Sequence, residues 1–291
     1  MSVNYWVLAA RPATLWAGVA PVVVGTALAI DDRAFDLGVF AAALLAALAV
    51  QVGVNFANDL ADAKSGADTD QRIGPPRAVA AGLLSPRAMA LGVAVAFGVA
   101  GIAGIYLTVA AGPVVIILGV ASLLAALGYT AGPYPYGYHG LGEVSVFIFF
   151  GLVATVGTRF VFDESAPAAA WVSGVVMGLL ASAILIANNV RDIDTDRAAG
   201  KRTLAVIIGR PATRRLYVAT VAGAFAVVVI ATVGGTYPKG ALLVLIAAPL
   251  TLSPIKNVSR HVEGPELIAA LKGTARLQIV AAVLLGTGLI V

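Results

Sequence analysis

The chain contains no cysteine, which excludes disulfides, thiol catalysis and thiolate-held metals. Histidine is nearly absent too: His139 and His261 are the only two, too few for an imidazole-rich metal centre. Charge is scarce. Asp, Glu, Lys and Arg make up 12% of the 291 residues, where a soluble domain carries roughly 25%. Half of the expected solvated surface is therefore missing. With 60% of residues hydrophobic and a mean hydropathy of +0.95, the surplus apolar surface has to face lipid. Residues 1–14 are not expected to be a cleavable leader, because they are short, include Arg11 and Pro12, and lack an apolar run ending in a cleavage site.

What the sequence does have is apolar runs of the length that crosses a bilayer, about 17–25 residues. They lie near 14–30, 37–58, 88–108, 112–129, 142–162, 168–190, 214–234, 238–253 and 275–291, which predicts an all-α polytopic membrane bundle of about nine transmembrane helices. Basic residues test the order of the loops. With the N-terminus cytoplasmic and the C-terminus outside, every one of the 19 Lys and Arg residues except Arg33, Arg159 and Lys239 falls on the cytoplasmic side. That is the bias expected of a correctly threaded chain, and one misplaced span would destroy it. No linker or low-complexity stretch divides the sequence, so residues 1–291 are expected to form one domain. The loops after the second and sixth runs are both long, rich in Asp and Arg, and preceded by Asn, which suggests two four-helix halves and one added helix.

These two loops carry the chemistry. In the first, Asn58 and Asp62 stand at i and i+4, one turn apart on one helical face, with Asn55 on the same side. In the second, Asn188, Asp192 and Asp196 repeat at i, i+4 and i+8. Such oxygen-only donor sets suit Mg²⁺, which takes one or two carboxylates and fills its remaining positions with water and phosphate oxygens. Two facing clusters could grip a diphosphate between them, with Lys64, Arg72, Lys201 and Arg202 neutralising the rest of its charge. A polar helix end at the interface would account for one such cluster, but not for two with matching spacing on one side of the membrane.

Asn58-Asp59-x-x-Asp62 followed by Gly66-x-Asp68, together with Asn188-x-x-x-Asp192-x-x-x-Asp196, resembles the paired aspartate-rich motifs of the UbiA-type intramembrane prenyltransferases. The finer likeness is to the menaquinone branch of that family. It rests on the run from Asn188 through Gly200-Lys201 to Leu204, on Arg11-Pro12-Ala13-Thr14-Leu15, and on the loop Gly132 to Glu143, and it extends in order from Arg11 to about Arg210. Two departures matter. The loop from Tyr129 to Glu143 holds no Lys or Arg, unlike the ubiquinone branch, which argues against 4-hydroxybenzoate as acceptor. Asp68 sits two residues later than the simplest form of the motif.

The resemblance implies a multi-pass protein of the cell membrane with its active site on the cytoplasmic side. It implies transfer of a chain from polyprenyl diphosphate to 1,4-dihydroxy-2-naphthoate, with Mg²⁺ as cofactor and loss of CO₂ and diphosphate. Asn58, Asp62, Asp192 and Asp196, with Asp68, are then the Mg²⁺–diphosphate ligands, and Lys64, Arg72, Lys201 and Arg202 contact diphosphate. Arg11, Asn55, Asn188, Tyr134 and Tyr136 are candidates for the acceptor. Tyr129, Tyr134, Tyr136 and Tyr138 could form an interfacial aromatic belt; crowded into one charge-poor loop stiffened by Pro133 and Pro135, they fit a lid over an aromatic ring better. His139 is expected to be a satisfied interfacial residue. No nucleic-acid partner is expected. A secondary transporter is the reading from another class, but its ionisable groups belong near the midplane, and here the mid-span regions almost lack them.

Overall fold

The computed structural model of the chain describes residues 4–65, 77–262 and 264–291, and among them all regular structure is helical. A short helix α1 (Tyr5–Ala10) turns into α2 (Pro12–Asp31), followed by α3 (Leu37–Ser65), α4 (Pro86–Ala111) and α5 (Val114–Thr130). A single 3₁₀ turn at Tyr136–His139 leads to α6 (Gly142–Val146), which continues through a π-helical stretch (Phe147–Val153) into α7 (Ala154–Asp163). Then come α8 (Ala168–Ala198), α9 (Leu204–Val233), a 3₁₀ segment (Lys239–Thr251) running into α10 (Leu252–Arg260), and α11 (Pro265–Ile290). Eight of the helical stretches among the described residues are long and apolar enough to cross a membrane, and α5 is a shorter apolar helix of 17 residues.

Burial follows from which faces have partners. The main cluster joins α8, α9, α11, the 3₁₀ segment and α2, through residues such as Met177, Leu180, Tyr217, Val228, Leu277 and Leu285. A smaller cluster of Val22, Val39, Ala43, Leu107, Ala111 and Val161 ties α2, α3, α4 and α7. Elsewhere large apolar side chains point outward, with Val109 at 83% and Ile102 at 71% exposure, as a lipid-facing surface requires. α5 buries none of its residues and forms an outer wall.

Small residues allow the closest crossing. Gly174 and Gly178 form a G-x-x-x-G face on α8 against Gly151 of the π stretch, and a Cβ on Gly178 would stand 2.8 Å from the Phe147 carbonyl oxygen. At the end of the bundle away from the acidic motifs, Arg159 is buried (1% exposed) and donates to both Asp32 and Asp163, tying α2 to α7. α9 starts ten residues before the predicted span at 214. The extra turns are separated from it at Gly209, whose φ of 77° lies in the left-handed region, and the helix resumes at Pro211.

Candidate functional site

The acidic motifs sit where the sequence spacing puts them. α3 runs unbroken past Asp62, and α8 past Asp196, so each set of i, i+4 residues shares one helical face. Asp62 is 2% exposed and among the described residues accepts from Arg77 Nη2 (2.5 Å), from the Tyr138 hydroxyl (2.5 Å) and from Lys201 Nζ (2.9 Å). Lys201 belongs to the second motif segment, so this bond joins the two motifs directly. Its ammonium also lies 4.5 Å from the centre of the Tyr138 ring. The Arg202 amide donates to the Tyr138 carbonyl, which ties the loop after α8 to the 3₁₀ turn before α6.

On α8, the Arg191 guanidinium makes a bidentate contact with Asp192 (2.6 and 2.5 Å) and donates to Asn188 Oδ1 (2.8 Å). Asn58 Oδ1 accepts from the Thr130 hydroxyl at 2.9 Å, which anchors the end of α5. Asp59 has a different task. Its carboxylate accepts the backbone N–H groups of Ala78 and Val79, so it holds the returning chain and brings Arg77 to Asp62. Asn55 donates to the Ala10 carbonyl (2.8 Å) and to Thr14 Oγ1 (3.1 Å). Those bonds brace the elbow between α1 and α2, where Arg11 adopts φ 50°.

Much of this polar structure forms one end of a cavity of about 670 Å³, with Asp59, Arg191 and Arg202 set behind its wall. Arg11, Asn55, Asn58, Asp62, Arg77, Tyr136, Tyr138, Asn188, Asp192, Asp196 and Lys201 line that end. The rest of the wall is apolar and includes Ala43, Ala47, Gly101, Gly104, Val115, Gly119, Gly157 and Phe160. From Asn58 to Ala43 along α3 the cavity reaches about 22 Å at 1.5 Å per residue, most of the hydrocarbon thickness. Gly101, Gly104, Gly119 and Gly157 face open space, with nothing within 4 Å of where a Cβ would stand.

Tyr136 pins the loop across the mouth, its hydroxyl donating to the Ala125 carbonyl (2.6 Å) and pairing with Ser145 Oγ (2.9 Å). Burial raises its phenol above the ordinary 10.0, with the Ser145 hydrogen bond pulling the other way. Tyr134 is 60% exposed, stacks on His139, and does not line the cavity. Arg202 is exposed and joins through its backbone alone. Asp68, Arg72 and the Lys64 side chain lie outside the described residues.

Neither His nor Cys lines the cavity; the donors there are carboxylate and carboxamide oxygens, the hard set that Mg²⁺ prefers. No three Asp, Glu, His or Cys side chains converge into a cage among the described residues.

Three contributors escape sequence reasoning: Arg77, Arg191 and the buried pair in which Asn189 Nδ2 donates to Glu143 Oε1 at 2.8 Å. Arg191 and Asn189 lie inside the motif itself and could have been found there. Arg77 reaches Asp62 only through the returning chain, for which the spacing holds no signal.

The model of the UbiA prenyltransferase family matches residues 18–266. The chain belongs to that family. It is 38% identical to a 1,4-dihydroxy-2-naphthoate octaprenyltransferase of Mycobacterium leprae over 96% of this chain and 93% of that one. The enzyme of the same name from Escherichia coli is 33% identical over 93% and 90% of the two chains. Among solved structures, the UbiA homolog from Archaeoglobus fulgidus bound to GPP and Mg²⁺ superposes with a TM-score of 0.71 at 15% identity, covering 99% of both chains. The apo UbiA homolog from Aeropyrum pernix K1 superposes at 0.72 and 17% identity, covering 96% of this chain and 98% of that one. These likenesses establish the family fold.

Proposed function

We propose that the protein transfers a polyprenyl chain from polyprenyl diphosphate to 1,4-dihydroxy-2-naphthoate within the membrane, with Mg²⁺ as cofactor, releasing diphosphate and CO₂ and forming demethylmenaquinol. The observation that carries this reading is the Lys201–Asp62 bond, which joins both acidic motifs over the polar end of an otherwise apolar, membrane-deep cavity. A long prenyl chain matches the apolar part, and its diphosphate matches the polar end. The naphthoate acceptor is supported by the relatives of that printed name at 38% and 33% identity.

In this reading Asn58, Asp62, Asp192 and Asp196 hold Mg²⁺ and diphosphate, with Asp68 a further candidate ligand. Lys201 and Arg77 face the leaving group and Arg191 holds Asp192 and Asn188 in place, with Lys64, Arg72 and Arg202 as additional cations of the same loops. When bound, Mg²⁺ supplies charge stabilisation to the departing diphosphate. The cationic side chains add to this where negative charge grows, and the apolar wall keeps water from the allylic carbon as its C–O bond breaks. The ring carbon bearing the carboxylate forms the new C–C bond, and the electron pair of the departing CO₂ restores the aromatic ring. Arg11, Asn55, Asn188 and Tyr136 border the space for that ring, with Tyr134 on the outer face of the same loop. We place the motif end on the cytoplasmic side of the cell membrane, in line with the distribution of Lys and Arg, and treat residues 1–291 as one domain.

The test is an acceptor panel with one labelled polyprenyl diphosphate and purified protein. Prenylation of 1,4-dihydroxy-2-naphthoate with matching CO₂ release, abolished by EDTA and restored by Mg²⁺, is the expected result. Transfer to 4-hydroxybenzoate or homogentisate in its place would overturn the acceptor. Movement of substrate across liposomes without consumption of the diphosphate would overturn the reaction.

A further inference from the structure

Gln51 is a polar side chain on the cavity wall that has no hydrogen-bond partner among the described residues. Gln51 lies on α3, one turn before Asn55, and faces α2 where Gly18 lets the helices approach; a Cβ on Gly18 would stand 3.6 Å from Gln51 Cβ. It is 6% exposed and lines the cavity, and its carboxamide makes no hydrogen bond among the described residues, with Oε1 fully buried. The same Gly18 also meets the backbone of Ala47, one turn earlier on Gln51's own helix, and Ala17, Phe150 and Ile184 are apolar residues of the same cavity wall. A buried amide without a partner is unfavourable in water-free surroundings, so a group kept there points to a ligand that completes it.

The prenyl chain has no polar atom to offer. The diphosphate belongs with Asn58 and Asp62, about 10 and 16 Å further along the helix at 1.5 Å per residue. The step from Asn55 to Gln51 is about 6 Å, close to the length of an aromatic ring with oxygens at its two para positions. We propose that Gln51 hydrogen-bonds the inner hydroxyl of a 1,4-dihydroxylated acceptor ring and so determines acceptor specificity. This rests on the prenyl-transfer reading above.

The experiment compares wild type, Gln51→Met and Gln51→Glu in detergent. It measures KM for 1,4-dihydroxy-2-naphthoate, the inhibition constant of 1-hydroxy-2-naphthoate, KM for the polyprenyl diphosphate, and Tm. Loss of one neutral hydrogen bond corresponds to about tenfold in affinity. Gln51→Met should therefore raise KM for the dihydroxy ring about tenfold, leaving the monohydroxy inhibition constant and the donor KM within about twofold. Its Tm should hold or rise, because an unpaired amide has been removed. Gln51→Glu, which is expected to be neutral in this setting and still able to hydrogen-bond, should recover the preference. Unchanged discrimination in Gln51→Met, an equal rise in donor KM, or a lowered Tm with both ring affinities lost would each overturn the assignment. A wild-type protein that prenylates no aromatic ring would overturn the parent reading as well, whereas intact transfer with unaltered discrimination would remove the Gln51 role alone.

Discussion

Replacing Asp62 by Asn keeps the side-chain shape and removes one negative charge from the point where Arg77 and Lys201 converge at 2.5 and 2.9 Å. The Asp62 side chain is 4% exposed and those of its two cationic partners are 10% and 13% exposed, so water screens little of the interaction. Removing one partner of a buried ion pair costs about 3–5 kcal/mol, because the other charge is left uncompensated. Asp62→Asn should therefore lower the free energy of unfolding in detergent by an amount in that range. It should also reduce turnover by at least about a hundredfold, the scale seen when one preorganised charge-stabilising group is lost. The two effects separate in the double variant Asp62→Asn/Lys201→Met. Removing the stranded ammonium should return at least about 1 kcal/mol of stability, as coupled neighbours do, while turnover stays lost. Chemical unfolding and a single-turnover assay with labelled polyprenyl diphosphate measure the two quantities. An Asp62→Asn protein as stable as wild type and within fivefold of its rate would refute both the ion-pair account and the assignment to diphosphate.

Gly104→Leu adds a side chain to an open part of the apolar wall, so KM for a long polyprenyl diphosphate should rise at least tenfold, with dimethylallyl diphosphate unaffected. Its Tm should not fall, since Leu is favoured over Gly in a helix by about 0.5–1 kcal/mol. Gly151→Ala should behave in the opposite way, because its Cβ would stand 2.7 Å from the Gly174 carbonyl oxygen; thermal unfolding should show a loss of about 1–3 kcal/mol. Tyr136→Phe removes the bonds to Ala125 and Ser145 and should raise KM for the acceptor more than for the donor. The raised Tyr136 pKa makes its contribution to stability whole below pH 10 and lost as pH rises above that, a slope that a pH–Tm series on wild type and Tyr136→Phe should resolve.

Each of the nine predicted apolar runs falls on a helical stretch, eight of them long and apolar enough among the described residues to cross a membrane, because the need to hydrogen-bond the backbone within the bilayer favours helices. Hydropathy erred at the ends. α3 and α8 continue past the predicted limits of 58 and 190 to Ser65 and Ala198, since the acidic turns stay helical beyond the apolar run. The segment predicted at 238–253 is largely 3₁₀, with Pro249 inside it, and no apolar count distinguishes that from an α-helix. At the site, the i, i+4 spacing placed Asn58 with Asp62 and Asn188 with Asp192 correctly. It could not reveal that Asp59 holds backbone while Asp62 holds charge, because that depends on where residues 77–79 return. The sequence singles out Tyr134 and Tyr136 for the acceptor and passes over Tyr138, yet it is Tyr138 that reaches the acidic motif while Tyr134 points outward.

The Arg159 cluster has a mechanical consequence. At that end α2 and α7 are bound by a buried guanidinium shared between two carboxylates, whereas at the opposite end the mouth of the cavity is closed by side chains and one backbone bond between loops. A bundle fastened this way is expected to give first at the tips, as tweezers do, and least at the joined end. Amide exchange should accordingly be faster around 136–142 and 199–203 than around 28–32 and 158–163. Substituting Arg159 should loosen the hinge and slow the tips' return to register without touching any group that meets substrate.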